Sequence, residues 1–315
     1  MILAVVGPTA SGKSDFALDL ADLYAARIQV SAPEAVEIIS ADAMQLYRGM
    51  DIGTAKLPLA ERRGIAHHQI DVLDVMDEAS VAKYQKDARA DIATIKRSEK
   101  LPMVVGGSGL YVRALLDDMR FPPTDTAIRE RLEERLARLG AETLHRELSE
   151  LDPEAARHIN PKNGRRVVRA LEVIEATGEP FSATLPKRQY VEPAVQIGIR
   201  RETEELEERI RRRTTAMFDQ GLVEEVSRLR DLGLGDSKTA ARATGYSQVL
   251  AMLDGQINEN EARESITLAT TQLAKRQIKW FRADPRITWV NGTDSAWLRL
   301  ALDILLNAQD SEALL

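Results

Sequence analysis

Cysteine is absent from this 315-residue chain, which excludes disulfides, Cys-based zinc fingers and thiol catalysis. Long apolar runs are absent too, none approaching the roughly 20 residues needed to span a bilayer. The first strand signal begins at Ile2, leaving no room for a leader, so a cytoplasmic protein without membrane association is expected. No internal repeat or low-complexity tract stands out. An excess of positive charge is lacking as well, since 43 Lys and Arg face 49 Asp and Glu for a net charge of −6. That total argues weakly against a nucleic-acid partner, but for binding the local distribution counts. What remains is an ordinary globular composition, 44% hydrophobic and 29% charged, long enough for two domains or one with an insertion.

What is present starts at Gly7-Pro8-Thr9-Ala10-Ser11-Gly12-Lys13-Ser14, which fits G-x-x-x-x-G-K-[ST]. Ile2–Val6 before it is wholly apolar, as in a buried parallel strand. Phe16, Leu18, Leu20 and Leu23 after it lie among helix formers. A strand, a glycine-bearing loop and a helix N-terminus together form an anion cradle, because the N–H groups turn inward and the helix dipole adds positive potential. Lys13 contributes a mobile charge, and the Ser14 hydroxyl is placed to help hold Mg²⁺. Phosphate or diphosphate binding follows. The ester stays open, because kinases, ATPases and some transferases share the motif.

Further strand signals at Val36–Ser40, His68–Val72 and Pro102–Val105, with a helical pattern over Val81–Lys96, continue a βαβ alternation. They predict an α/β fold, a P-loop NTPase-like parallel sheet flanked by helices. Phe121-Pro122-Pro123 breaks the pattern, and from about Thr124 to Thr177 helix follows helix. Gly178, Pro180 and Pro186 break it again before Val195–Ile199 returns as a strand. Helical stretches at 202–220 and 261–281 lead to a last strand signal at Ile287–Val290 and a frayed end at Asp310–Leu315. The expected organisation is a discontinuous α/β core, 1–120 with 193–315, carrying an all-helical insertion domain at 121–192.

Basic residues gather in four places. Arg129, Arg131, Arg135 and Arg138 alternate with glutamates, and Arg209, Arg211, Arg212 and Arg213 form a similar group; both read as solvated helix faces crossed by i,i+4 ion pairs. Arg157-His158 with Lys162, Arg165, Arg166 and Arg169, and Lys275, Arg276, Lys279 and Arg282, have few acidic neighbours. These two read as phosphate-contacting surfaces, with a plain basic helix face as the alternative. His67-His68 is too short for a metal site and reads as structural.

A second motif runs Ser40-Ala41-Asp42-Ala43-Met44-Gln45-Leu46-Tyr47-Arg48-Gly49-Met50-Asp51-Ile52-Gly53-Thr54-Ala55-Lys56. Asp42 follows the carboxyl end of a strand, where α/β sheets bind ligands. Its carboxylate suits a general base or a water-mediated Mg²⁺ ligand, or simply caps a following helix. The P-loop followed by this string resembles the tRNA dimethylallyltransferase (tRNA isopentenyltransferase) family. Val105-Gly106-Gly107-Ser108-Gly109-Leu110-Tyr111 is similar to the family's VGGTGLY, with Ser108 keeping the hydroxyl of the usual threonine. His158–Asn163 with Arg165–Glu172, Gly221–Val226, Ala243–Tyr246 and Thr271–Arg282 resemble four further family blocks. The similarity spans residues 1 to about 290. The segment Ile28–Ala35 is longer than the family's usual one and has no assigned function.

The resemblance implies transfer of a dimethylallyl group from dimethylallyl diphosphate to the N6 amine of the adenosine 3′ to the anticodon, in tRNAs reading codons that begin with U. It implies Mg²⁺ as cofactor, the anticodon stem-loop of tRNA as partner, and a monomer. By resemblance Gly7 to Ser14 hold the diphosphate, Asp42 is the base, and Lys13 and Ser108 are the other catalytic residues. Asp42, Ala43, Met44, Gln45 and Ser108 line a pocket for the flipped base. Arg129, Arg165, Arg166, Val167, Val168, Arg169, Arg242, Gly245, Tyr246, Lys275, Arg276, Gln277, Lys279, Trp280 and Arg282 fall in regions that contact tRNA. Trp280, with Phe281 beside it in the same block, is the weaker case, since paired aromatics at a helix end usually belong to the core. Three other classes share parts of the pattern. A small-molecule kinase would consume ATP, an adenylate isopentenyltransferase would accept AMP, and a non-catalytic RNA-binding protein would not need Asp42.

Overall fold

The computed structural model describes residues 1–184, 188–292 and 295–313. In chain order it begins with β1 (Ile2–Val6), α1 (Lys13–Arg27), α2 (Ala32–Ala35), β2 (Val36–Ser40) and β3 (His67–His68). Next come α3 (Val81–Arg97), β4 (Leu101–Gly106) and α4 (Gly109–Leu116). Four helices follow: α5 (Thr126–Leu139), α6 (Ala141–Leu151), α7 (Pro153–His158) and α8 (Gly164–Thr177). The chain then forms β5 (Ala194–Arg200), α9 (Thr203–Asp219), α10 (Leu222–Asp231), α11 (Tyr246–Leu253), α12 (Glu259–Arg282), β6 (Ile287–Asn291) and α13 (Ser295–Ala313). Two compact units result, Met1–Leu116 with Tyr190–Leu315, and Asp117–Gln189.

In the first unit the six strands pair in parallel in the order β3-β2-β4-β1-β5-β6. Successive side chains of a strand point to opposite faces, so wholly apolar strands require cover on both sides. Leu3, Val5, Ile38, Met103 and Val105 join Phe16, Leu20 and Leu305 in one core, against α1 and α13. Ile2, Ala4, Val6, Ile39 and Val104 join Ile92, Leu115, Val226, Val249 and Ile266 in the other, against α3, α4 and α10 to α12. The register aligns Ser40 with Val105 and Val6 with Gly106. The carboxyl ends of β2, β4 and β1 therefore lie side by side.

Two local expectations need correction. The strand expected at His68–Val72 is only His67–His68, because Gln69 and Asp71 take left-handed φ of 58° and 57° and break the pleat. The C-terminal segment is helical as far as Ala313 rather than frayed from Asp310. Pro186, Leu314 and Leu315 lie outside the described residues.

The second unit has its own core of Leu132, Leu144, Leu148, Val167, Val168 and Leu171. Asp125, Asp152 and Asn163 start α5, α7 and α8 by accepting from Ile128, Ala155 and Arg166 N–H. Glu172, with no exposed surface, accepts from Asp125 N–H (3.1 Å) and from Arg129 Nη2 (2.7 Å). Arg169 Nη1 lies 3.1 Å from the same carboxylate, and Arg169 Nη2 donates to Pro122 O at 2.6 Å. The Arg129–Arg138 face is not crossed by i,i+4 pairs. Arg131 pairs with Glu175 of α8 and Arg135 with Glu147 of α6, tying helices together.

The junction of β2 and β4 is tight enough to test. An added Cβ at Gly106 would sit 2.2 Å from Ala41 O, a backbone atom that cannot step aside, whereas one at Gly235 meets nothing within 4 Å. Gly106→Ala is expected to cost about 1–3 kcal/mol or more. Gly235→Ala should be neutral or stabilising, by up to about 1 kcal/mol. Urea midpoints at constant m value compare the two.

Candidate active site

The loop after β1 turns on glycine. Gly7 approaches β5 so closely that an added Cβ would lie 2.8 Å from Ile199 O, and Gly12 starts α1 from a left-handed φ of 85°. Three loop carbonyls are held by cations. Lys13 Nζ donates to Pro8 O (3.4 Å), Arg209 Nε to Ala10 O (2.8 Å) and Arg201 Nε to Ser11 O (2.7 Å). Gln277 closes the loop from α12, accepting from Thr9 N–H (2.8 Å) and donating to Gly107 O (2.9 Å). The N-terminus of α1, with its positive end of the helix dipole, is thereby fixed at the strand ends.

Asp42 and Ser108 stand on the adjoining strand ends. Asp42 Oδ1 accepts from Met44 N–H (3.0 Å), so the carboxylate fixes its own turn; the segment after it is a turn and not the helix a capping role would need. Ser108 N–H donates to Ala41 O (3.1 Å) and Ser108 Oγ accepts from Ala43 N–H (3.3 Å). Gln45 Oε1 accepts from Ser40 Oγ (2.9 Å), and Gln45 Nε2 donates to Thr54 O (3.3 Å).

The electrostatics of the site converge on Asp42. Burial drives the Lys13 ammonium down to about 8, the Asp42 charge partly opposing and Arg213 reinforcing the shift. Burial also lowers the Arg213 guanidinium, again against the attraction of Asp42. Burial raises the hydroxyls of Tyr84 and Tyr111, the latter to about 12, and the charge of Asp42 adds to both. Arg213 Nη1 donates to Thr9 Oγ1 at 3.2 Å. Among the described residues, Arg213 Nε and Ser11 Oγ are buried without a hydrogen-bond partner. Buried donors without partners are costly, and one of these lies in the loop itself and the other on the side chain that bonds Thr9.

Arg209 and Arg213 were expected on a solvated helix face, and the structure corrects this: both reach the P-loop. Arg211 and Arg212 do point outward, Arg211 pairing with Glu208. The usable signal was the i,i+4 spacing of Arg209 and Arg213 beside the apolar positions Leu206 and Ile210, which are buried. Arg201 carried no such signal.

The residues expected at an RNA surface divide. Arg165, Arg166, Arg242, Arg276, Lys279 and Arg282 are exposed. Lys275 is exposed as well, but Glu207 lies 3.1 Å away, contrary to the acid-poor reading at that position. Val167, Val168 and Tyr246 are buried, so their side chains form core and not surface. Gly245 is buried too, the left-handed residue before α11. Arg129 and Arg169 are engaged with Glu172, and Gln277 with the P-loop. The aromatic pair splits, Phe281 buried and Trp280 partly exposed against Gly109. His67 Nδ1 lies 2.8 Å from Ile65 O and His68 Nε2 2.7 Å from Glu37, both structural contacts.

Among the described residues, no cluster of three or more His, Asp or Glu could hold a metal ion alone. The hard oxygen donors at Ser14 and Asp42 suit Mg²⁺, which binds through one or two protein oxygens, waters and substrate phosphates.

Residues 45–284 match the family model described as IPP transferase. The chain is 51% identical over 295 residues to the tRNA dimethylallyltransferase of Kineococcus radiotolerans, covering 94% of this chain and 92% of that one. It is 53% identical over 293 residues to that of Pseudarthrobacter chlorophenolicus, covering 93% and 94%. The crystal structure of the full-length tRNA isopentenylpyrophosphate transferase from Bacillus halodurans aligns with a TM-score of 0.71 at 36% identity, over 99% of this chain and 98% of that one. A eukaryotic dimethylallyltransferase acting on tRNA aligns with a TM-score of 0.78 at 25% identity, over 94% and 74%. Agreement of this extent, in sequence and in structure, places the chain in the IPP transferase family: it belongs to it.

Proposed function

We propose that this enzyme transfers the dimethylallyl group of dimethylallyl diphosphate to the N6 amine of the adenosine 3′ to the anticodon, in cytoplasmic tRNAs reading codons that begin with U. The observation that carries the reading is the placement of one carboxylate, Asp42, at the end of β2 beside the loop that follows β1, where its charge opposes those of Lys13 and Arg213. The allylic C–O bond breaks as the N6–C bond forms, and the diphosphate leaves with the bonding pair. Lys13, Arg213 and the N-terminus of α1 stabilise the charge growing on that leaving group, where preorganised donors contribute most. The amine must lose a proton as it attacks, and Asp42 takes it. Mg²⁺, held by Ser14 and through water by Asp42, would supply further neutralisation of the diphosphate.

Ser108 keeps Ala43 in place and so orders the Asp42–Gln45 segment, which lines the pocket for the extruded adenine. Exposed Arg165 and Arg166 of the helical unit, and Arg242, Arg276, Lys279 and Arg282 of the α/β unit, are free to meet tRNA phosphates. Among the described residues no helix is long and apolar enough to cross a membrane.

Incubation with labelled dimethylallyl diphosphate, Mg²⁺ and unmodified tRNA, AMP or ATP tests the reading. Label is expected in tRNA alone, recovered as N6-dimethylallyladenosine after digestion. Label on AMP would indicate a free-nucleotide acceptor, and phosphoryl transfer from ATP without prenyl transfer a kinase.

A pH dependence follows from Lys13. Its proton is held below about 8 and lost above, and kcat/KM reports the free enzyme. The kcat/KM for dimethylallyl diphosphate should therefore fall as pH rises through about 8. In Lys13→Ala the value should be lower throughout and this limb should vanish. A limb that persists in the variant belongs to another group. For folding the sign is opposite. The pKa is depressed in the folded state, so the protonated lysine is a cost below about 8 that is relieved as pH climbs toward 10.5.

A further inference from the structure

Two sequence motifs, Gly221–Val226 and Ala243–Tyr246, have no part in the reaction as described. They nevertheless supply a buried ionisable pair, since Glu225 is 3% exposed and Tyr246 is fully enclosed. The Tyr246 hydroxyl donates to Glu225 Oε1 at 2.6 Å, and burial with that carboxylate pushes the phenol far above its ordinary range. Glu225 Oε2 also accepts from Asp51 N–H (3.1 Å) and Ile52 N–H (2.8 Å), and Oε1 from Gly53 N–H (3.3 Å). Three successive backbone donors thus converge on one carboxylate, the concave nest of N–H groups that suits an anion. The Tyr246 ring covers this turn so closely that a Cβ at Gly53 would lie 2.5 Å from it. On the other side buried Lys56 Nζ binds Asp51 Oδ1 and Asp71 Oδ1, both at 2.6 Å, and Tyr47 O at 2.9 Å.

A buried carboxylate persists only when its oxygens are well bonded, and this one spends its bonds on a turn that leads to the site. The next residue, Thr54, offers its carbonyl to Gln45 Nε2, while Ser40 Oγ holds Gln45 Oε1. Both ends of the Gln45 amide are therefore oriented, one by the end of β2 and one by the turn around Glu225. We infer that Glu225, assisted by Tyr246, is a positioning residue: it fixes the 51–54 turn and thereby presents the Gln45 amide to the acceptor adenine. This rests on the proposed reading in which Asp42–Gln45 line the acceptor pocket. If the nest is lost, Thr54 O can shift and the Gln45 amide is free to rotate, exchanging donor for acceptor at the base.

The test is a double-mutant cycle on the full chain with an anticodon stem-loop as acceptor. Glu225→Gln keeps the shape but turns an amide toward backbone donors, and Tyr246→Phe removes one hydroxyl and keeps the ring. Glu225→Gln should raise the acceptor KM about ten-fold and Tyr246→Phe about three-fold, the scale of one or two hydrogen bonds, with the KM for dimethylallyl diphosphate unchanged. Gln45→Ala alone should raise the acceptor KM, and adding Glu225→Gln to it should raise it no further. Independent, multiplying effects would overturn the inference, as would a lowered Tm with an unchanged acceptor KM. Should Glu225→Gln fail to fold, the cycle with Tyr246→Phe decides in the same way. An unchanged acceptor KM and kcat in Gln45→Ala would instead remove the pocket reading itself, and the positioning role with it.

Discussion

Two backbone hydrogen bonds at Ala41 carry the geometry of the site. Ala41 N–H donates to Val105 O at 2.8 Å, and Ser108 N–H returns to Ala41 O at 3.1 Å, extending the β2–β4 ladder past the last paired residues. Asp42 is the next residue along one chain, and Gly107, beside the P-loop, precedes Ser108 on the other. Parallel pairing of β4 with β1 then brings both to the loop that begins at Gly7. Because the bonds are between main-chain atoms at a point where Gly106 admits no side chain, the spacing of Asp42 and the cradle is set by sheet register. Side-chain packing cannot easily alter it.

On that frame the protein assembles positive charge at a high local cost. The chain as a whole is acidic, yet Lys13, Arg201, Arg209 and Arg213 all lie against the eight-residue loop. The depressed pKa of Lys13 and the partnerless Nε of Arg213 mark positive charge held in a half-buried setting. Such groups oppose folding and favour an incoming anion; in the proposed reaction they would need no reorganisation as charge moves onto the diphosphate. Arg201 and Arg209 act differently. Their guanidinium groups bind loop carbonyls, and so shape the cradle from outside.

The parts of this arrangement that were legible in sequence are local. Gly7 to Ser14 and the run around Asp42 declare themselves because strand, turn and helix N-terminus are contiguous in the chain. The parallel sheet was legible for the same reason, as apolar runs alternating with helix formers. Long-range partnership was not. Arg209 and Arg213 share with the buried Leu206 and Ile210 the inner side of α9, which separates them from Arg211 and Arg212 but does not name the loop they reach. Val167, Val168 and Tyr246 sit among basic or polar neighbours, yet face the cores of their own units. The strand at His67–His68 ended early because Gln69 and Asp71 adopt left-handed backbone, and Asp71 turns its carboxylate to Lys56. In each case the partner lies many residues away, and a local pattern gives at most the face of an element and not the partner it meets.

The central claim is that Asp42 removes the proton from the attacking amine while the cradle beside it holds the diphosphate. Asp42→Asn tests it most directly, because the amide oxygen can still accept from Met44 N–H and preserve the turn. Single-turnover transfer to tRNA should fall by a factor of about 10² to 10⁴, with the Kd values for tRNA and for dimethylallyl diphosphate near those of the wild type. Transfer by Asp42→Asn at the wild-type rate would contradict the account.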